Sequence, residues 1–153
     1  MERLHVAAGI LVRDGCVLLV ASRYAGRSEP LWHPPGGRQR PGELLHDTAI
    51  REVREETGLD VEIEELAYVA ESYDGPTHVL YVAFRMHAEG EPRVPAVGDH
   101  ITAAQFVPIG ELEQRISARV VREPLLAYLH GNLPERYRAF PVSDISLSLN
   151  DES

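Results

Sequence analysis

Between Trp32 and Leu59 the chain passes from a run built to turn into a run built to coil, and the coil ends on a concentration of acid. The run opens with Trp32-His33-Pro34-Pro35-Gly36-Gly37 and continues through Pro41, Gly42 and Glu43. From Leu44 to Thr57 the spacing predicts a helix: Leu45, Ala49 and Val53 recur four apart with Ile50 beside them, which makes one apolar face. Glu43 at its start suits the positive end of the helix dipole. Gly58, just past Thr57, suits a left-handed C-cap.

The last turn of that helix works against itself. Glu52 and Glu56 share a face, and Glu55 lies about 60° round from Glu52. Like charges at such spacing cost roughly a few tenths of a kcal/mol per pair. Glu55 and Glu56 also sit at the negative end of the dipole, at about 0.3–1 kcal/mol each. One reading is a solvated acidic face, partly neutralised by Arg51 and Arg54. The other is a cation held among the carboxylates. Oxygen ligands without Cys or His in that turn suit a hard ion such as Mg2+ or Mn2+.

Taken as one string, the run resembles the Nudix hydrolase family. The family pattern is Gly, five residues, Glu, seven residues, Arg-Glu, an aliphatic residue, any residue, Glu-Glu, any residue, Gly, aliphatic. Here Gly37, Glu43, Arg51-Glu52-Val53, Glu55-Glu56 and Gly58-Leu59 fill every fixed position at the right spacing. Trp32, Pro35-Gly36 and Gly42 match the family's lead-in as well. The resemblance implies an α/β fold, the Nudix α/β/α sandwich with a mixed β-sheet and a loop-helix-loop motif. It implies hydrolysis of a nucleoside diphosphate linked to another moiety by water attack on phosphorus. Nucleoside triphosphates, ADP-ribose-like sugars and dinucleoside polyphosphates all stay open as substrates. Carried over by position, the Gly36 carbonyl, Glu52, Glu55 and Glu56 bind the divalent ion. Glu52 is the first choice for the base that takes a proton from water, and Glu55 the second. Arg51 pairs with Glu43 to brace the motif. Arg23, just after a strand, and Asp99, in the loop before the last strand, are candidates for substrate contact; His100 stands where relatives often carry Glu. Pro76 lies further past the motif than the proline of ADP-ribose-selective relatives. A nucleotide-sensing module of the same fold, without catalysis, is the alternative, although such modules usually carry a degraded motif and this one is intact.

Composition narrows the field further. A net charge of −9 leaves no basic stripe for extended nucleic acid. All 15 Lys+Arg residues are arginines, so no lysine is present for a P-loop, a Schiff base or a nucleophile. Cys16 is the only cysteine, which excludes an intrachain disulfide and a cysteine-based zinc site. No apolar run is long enough to span a membrane, and Glu2-Arg3 ahead of a short apolar run is not a signal-peptide pattern. The expectation is a cytoplasmic domain over residues 1–140 with a polar, loosely ordered tail over 141–153; a homodimer stays open.

Around the motif, Leu4–Val12 and Cys16–Ser22 read as a hairpin turning at Asp14-Gly15. Residues 24–31 read as a loop, and His33 as a partly buried or substrate-edge histidine. Val61–Ala70 and His78–Ala88 read as strands about an Asp74-Gly75-Pro76 turn, with a register slip near Glu64-Glu65. Tyr73, His78 and Tyr81 offer stacking surface for a base, but strand aromatics are more often core. Ala103–Pro108 completes the strands, a helical region starts at Gly110-Glu111, and Pro124 is expected in the first turn of a last helix that Gly131 closes.

Overall fold

The hairpin forms as the sequence requires. In the computed structural model, which describes residues 2–95 and 100–145, strands β1 (Arg3–Arg13) and β2 (Cys16–Ser22) pair antiparallel at Val12–Val17 and Arg13–Cys16. Asp14 and Gly15 take φ of 51° and 75°. Positive φ at both central residues is what a type I′ turn needs, and Asp-Gly supplies it at little strain. Beyond the turn the partners diverge. β1 runs parallel to β6 (Thr77–His87), and β2 runs antiparallel to β7 (Ile101–Pro108). Strand β5 (Glu62–Asp74) pairs antiparallel with β6 and carries register shifts at Ile63/Glu65 and Leu66/Tyr68, where the paired glutamates suggested a slip.

Three strands lie outside the sequence expectation. β3 (Leu31–His33) and β4 (Gly36–Arg38) are short, too short for a periodic signal, and pair with β2 and β1. β8 (Tyr137–Phe140) pairs parallel with β5. The result is a mixed eight-stranded sheet of order β3-β2-β1-β6-β5-β8, with β4 on β1 and β7 on β2.

Alternation along the strands sends side chains to two cores. On one face Ala7, Leu11, Leu18 and Met86 meet Ala49 and Val53 of helix α1 (Leu45–Thr57). On the other, Ile10, Val17, Leu19, Tyr68 and Ala83 meet Leu112, Val121 and Leu125, from helices α2 (Leu112–Arg115) and α3 (Arg119–Leu129). The layers are α/β/α, as expected from the motif. Helix α1 ends at Gly58, whose φ is 76° and whose N–H donates to the Arg54 carbonyl at 2.8 Å.

Helix α3 begins earlier than the proline suggested. Pro124 lies inside it, not in its first turn, although a proline there forfeits a backbone hydrogen bond and costs about 3 kcal/mol. The start is set from a distance: the Asp144 carboxylate accepts the N–H groups of Arg119 and Val120 at 2.6 and 3.2 Å, an N-cap supplied by a residue far along the chain. The same segment is tied to the sheet where the Ser143 N–H donates to the Tyr73 carbonyl at 2.8 Å. Residues 141–145 are therefore anchored; the rest of the expected tail, 146–153, lies outside the described residues.

Gly9 of β1 leaves no room for a side chain against α1 and β6. A methyl group there would stand 2.6 Å from Met86 Sδ and 2.8 Å from Val53 Cγ2. Gly9→Ala should therefore lower stability by about 1–3 kcal/mol through overpacking, measured by denaturant melts; an unchanged midpoint would mean that the helix rides further from the sheet.

Candidate active site

The turn before α1 and the helix itself are tied together by one guanidinium. Arg51 Nε and Nη2 donate to the two carboxylate oxygens of Glu43 at 2.6 and 3.0 Å, a bidentate pair. Nη2 also donates to the Arg38 carbonyl at 3.0 Å, on β4. Nη1 donates to Glu52 Oε2 at 2.9 Å and Glu55 Oε1 at 3.2 Å. Glu43 accepts further bonds from the Arg40 N–H at 3.0 Å and the Thr48 hydroxyl at 2.9 Å. The Arg51 hydrogen bonds first of all hold the Glu43 carboxyl down at about 2 against an ordinary 4.5, and the same contact pushes the Arg51 guanidinium up.

The glutamates of the last turn divide. Glu52 and Glu56 are buried, 2% and 4% exposed, and Glu55 keeps 43% of its side chain in solvent. Both buried carboxylates turn toward the glycine pair. The Gly36 N–H donates to Glu56 Oε1 at 3.1 Å. A methyl group on Gly37 would lie 2.5 Å from Glu52 Oε2, so only glycine lets this carboxylate lie under the backbone of β4. Glu55 leans toward Arg40 Nη2 at 3.8 Å. Among the described residues no three His, Cys, Asp or Glu side chains are gathered in metal-holding geometry. Arg51 draws Glu52 and Glu55 to itself. The donor set nonetheless fits a hard divalent ion. It consists of carboxylate oxygens, two of them buried, and four carboxylates share this corner with Arg51 and Arg40, which leaves it net negative.

A cleft, partly open to solvent, runs beside Gly36 and Gly37 and is walled by Val6, Tyr24, Trp32, His33 and Tyr81 among others. His33 is held at the edge: its Nδ1–H donates to the Pro34 carbonyl at 2.8 Å and its Nε2 takes the Ser22 hydroxyl at 2.6 Å. Burial above all pushes the Tyr81 phenol up, and the negative charge of Glu56 adds to it.

The structure thus brings Gly36, Glu43, Arg51, Glu52, Glu55 and Glu56 to one corner. Arg23 is exposed at the end of β2, where its N–H donates to the His100 carbonyl at 2.9 Å; its neighbour Tyr24, not Arg23, walls the cleft. Asp99 lies outside the described residues. Thr48 and Arg40, which the sequence did not single out, help hold Glu43 and Glu55; no periodicity marks them, because their partners are set by the fold of the preceding turn.

An α/β/α sandwich with this loop-helix-loop at the edge of a mixed sheet defines a class, and comparison with known proteins gives it its name. The chain belongs to the NUDIX domain family, whose model matches residues 3–129. It is 36% identical over 70 residues to a CTP pyrophosphohydrolase of Escherichia coli, covering 46% of this chain and 50% of that one. It is 27% identical to an ADP-ribose pyrophosphatase of Methanocaldococcus jannaschii, over 88% of this chain and 74% of the other. The chain spans half or less of the length of the first curated relatives it matches. A NUDIX hydrolase structure from Nitrosomonas europaea superposes with a TM-score of 0.74 at 22% identity, covering 89% of this chain and 93% of that chain, a likeness of fold. Nudix hydrolases generally need divalent cations. No helix among the described residues is long and apolar enough to cross a membrane.

The depressed Glu43 carboxyl fixes a pH signature. Its stabilisation is present above the ordinary value of 4.5 and is lost as pH falls toward about 2. Glu43→Gln should cost about 1.5–3 kcal/mol at neutral pH, the range for a hydrogen bond to a charged group. Its stability should also fall less steeply than wild type as the medium is acidified through that window. Parallel acid slopes in melts at stepped pH would place the stabilising contact of Arg51 elsewhere.

Proposed function

We propose that this chain is a metal-dependent pyrophosphohydrolase that cleaves a nucleoside diphosphate linked to another moiety by water attack on phosphorus. The observation that carries the reading is the burial of the Glu52 and Glu56 carboxylates against the Gly36-Gly37 backbone, whose glycines also line a cleft partly open to solvent. Glu52, Glu55, Glu56 and the Gly36 carbonyl would hold Mg2+, with Mn2+ as a substitute. A bound divalent ion neutralises phosphate charge and lowers the pKa of water.

The chain's own residues supply the rest. Glu52 takes the proton of the attacking water at a carboxylate oxygen, and Glu55, nearer solvent, is the second acceptor. The Arg51–Glu43 pair keeps the turn of β4 against the helix, so that the glycine backbone and the carboxylates face one another. Arg23 at the end of β2, and Asp99, are proposed to meet the substrate from outside the motif. The names of the relatives keep nucleoside triphosphates and ADP-ribose in scope, with dinucleoside polyphosphates beside them. A cytoplasmic site of action fits such substrates.

Formation of a nucleoside monophosphate or shorter nucleotide together with its phosphorylated co-product, resolved by anion-exchange chromatography for a panel of these compounds with and without Mg2+ or Mn2+, tests the proposal. Turnover should require the ion. Glu52→Gln should lower kcat by about 10²–10⁴-fold, the range for loss of a general base, and Glu56→Gln should lose most activity while keeping the fold. Near-wild-type turnover of both variants at saturating ion would contradict the assignment. Metal binding should also stabilise the wild type by about 2.7 kcal/mol at a hundredfold excess over Kd, and should leave Glu52→Gln/Glu56→Gln nearly unmoved.

A further inference from the structure

Helix α3 brings no cap of its own. Ala118 stands at its N-cap position without a side-chain acceptor, so the N–H groups of Arg119 and Val120 depend on the Asp144 carboxylate, which takes them at 2.6 and 3.2 Å. A carboxylate there also suits the positive end of the helix dipole. Asp144 carries part of the cleft wall with it. Its neighbour Ile145 packs against the core on the α3 side of the sheet, and lines the cleft together with Ala118 and Val121. One contact thus fixes the start of α3 and the seat of Ile145 at once.

The chain that leads to this contact is held at points and not along its length. It leaves the sheet at Phe140, which is buried at the end of β8 with the guanidinium groups of Arg119 and Arg138 at 5.3 and 5.7 Å from its ring centre. Both arginines also donate to Glu123, at 2.6 and 2.7 Å. Beyond Phe140, Pro141, Val142 and Asp144 are exposed, Val142 to 79%. The Ser143 N–H donates to the Tyr73 carbonyl at 2.8 Å. Its hydroxyl donates to the Ile145 carbonyl at 2.7 Å and accepts the Ile145 N–H at 3.1 Å. Among residues 141–145 only Ile145 is packed against a core. A segment with few buried apolar contacts and solvent-exposed hydrogen bonds opens at a free energy well below that of the whole fold.

We infer that residues 141–145 are a strap that forms a movable wall of the cleft, with Phe140 as its fixed end and Asp144 as its latch. With the latch made, Ile145 closes the wall beside Ala118 and Val121. With the latch broken, the strap leaves as a unit, the first turn of α3 frays and the cleft widens on that side. Asp144 is thereby a positioning residue that acts through Ile145 and α3.

Native-state hydrogen exchange of the full chain, followed by NMR, reads the latch. The amides of Arg119, Val120, Ser143 and Ile145 donate the strap's bonds. In the wild type they should open with one common constant and exchange faster than the amides of the α3 interior. Asp144→Ala leaves the bonds of Ser143 and Ile145 themselves untouched, yet both amides should exchange about five- to thirtyfold faster, the loss of a helix cap. Asp144→Asn should stay near wild type, because asparagine caps as well as aspartate does. Unrelated opening constants for the four amides in wild type, or unchanged Ser143 and Ile145 rates in Asp144→Ala, would overturn the strap as a unit. The wild-type comparison stands even where the alanine variant fails to fold. Turnover tests the wall, and this arm alone rests on the pyrophosphohydrolase reading. Asp144→Ala should raise KM severalfold at an unchanged kcat, the sign of lost uniform binding, and Asp144→Asn should restore it. A fall in kcat at constant KM, or a KM that does not move, would overturn the strap's part in the cleft. A chain that hydrolyses nothing would sink the hydrolase reading and leave the exchange result to decide the strap.

Discussion

One guanidinium holds the site in register. Arg51 reaches back to Glu43, across to the Arg38 carbonyl and along its own helix to Glu52 and Glu55. The turn of residues 39–44 has little apolar surface to anchor it, so its position against α1 depends on these charge-assisted bonds. Planar, forked geometry matters here: a single cation answers a bidentate carboxylate, a backbone carbonyl and two more carboxylates, which an ammonium on a flexible stem would do poorly. The acidic last turn is tolerable for the same reason, because part of its repulsion is taken up by Arg51 before any ion binds.

The two cores give that corner its rigidity. β1 is the shared element: it pairs with β2 at its end, with β6 along most of its length and with β4 at Val6–Ala8. β4 carries the glycine pair, so the backbone that faces Glu52 and Glu56 is hydrogen-bonded to the middle of the sheet. Helix α1 is seated on the other side of that junction by Ala49 and Val53, and Gly9 sets how near it comes. The carboxylates are thus placed by a helix and a strand, and the cleft lies on the opposite face, bordered by Ala118 and Val121 from the α3 layer.

Sequence alone showed most of the frame. The hairpin, the helix with its apolar face and Gly58 cap, and the irregular pairing near Glu64-Glu65 were legible because each rests on local chemistry: turn residues, a four-residue period, a break in alternation. β3, β4 and β8 were not, since three or four residues carry no period and their pairing is decided by strands far away in the chain. Pro124 misled about α3 because the cap comes from Asp144, a tertiary contact with no local signature. At the site, the Arg51–Glu43 pairing expected from the family resemblance is present, but the pattern does not reveal that Glu52 and Glu56 are buried while Glu55 is half in solvent. That division follows from which side of α1 faces β4. Tyr81 illustrates the same limit: alternation marks it as an ordinary strand aromatic, and only the packing shows that its hydroxyl is buried with no hydrogen-bond partner.

The central claim is that Glu52 and Glu56, tucked against Gly36 and Gly37, are the donors of a divalent-cation site. Crystals of the wild-type protein soaked in Mn2+ test it most directly, through the anomalous difference map. The account predicts a peak within bonding distance of the Glu52 and Glu56 carboxylates and the Gly36 carbonyl, with Arg51 still paired to Glu43. An anomalous peak elsewhere, with those two carboxylates left as they stand, would contradict it.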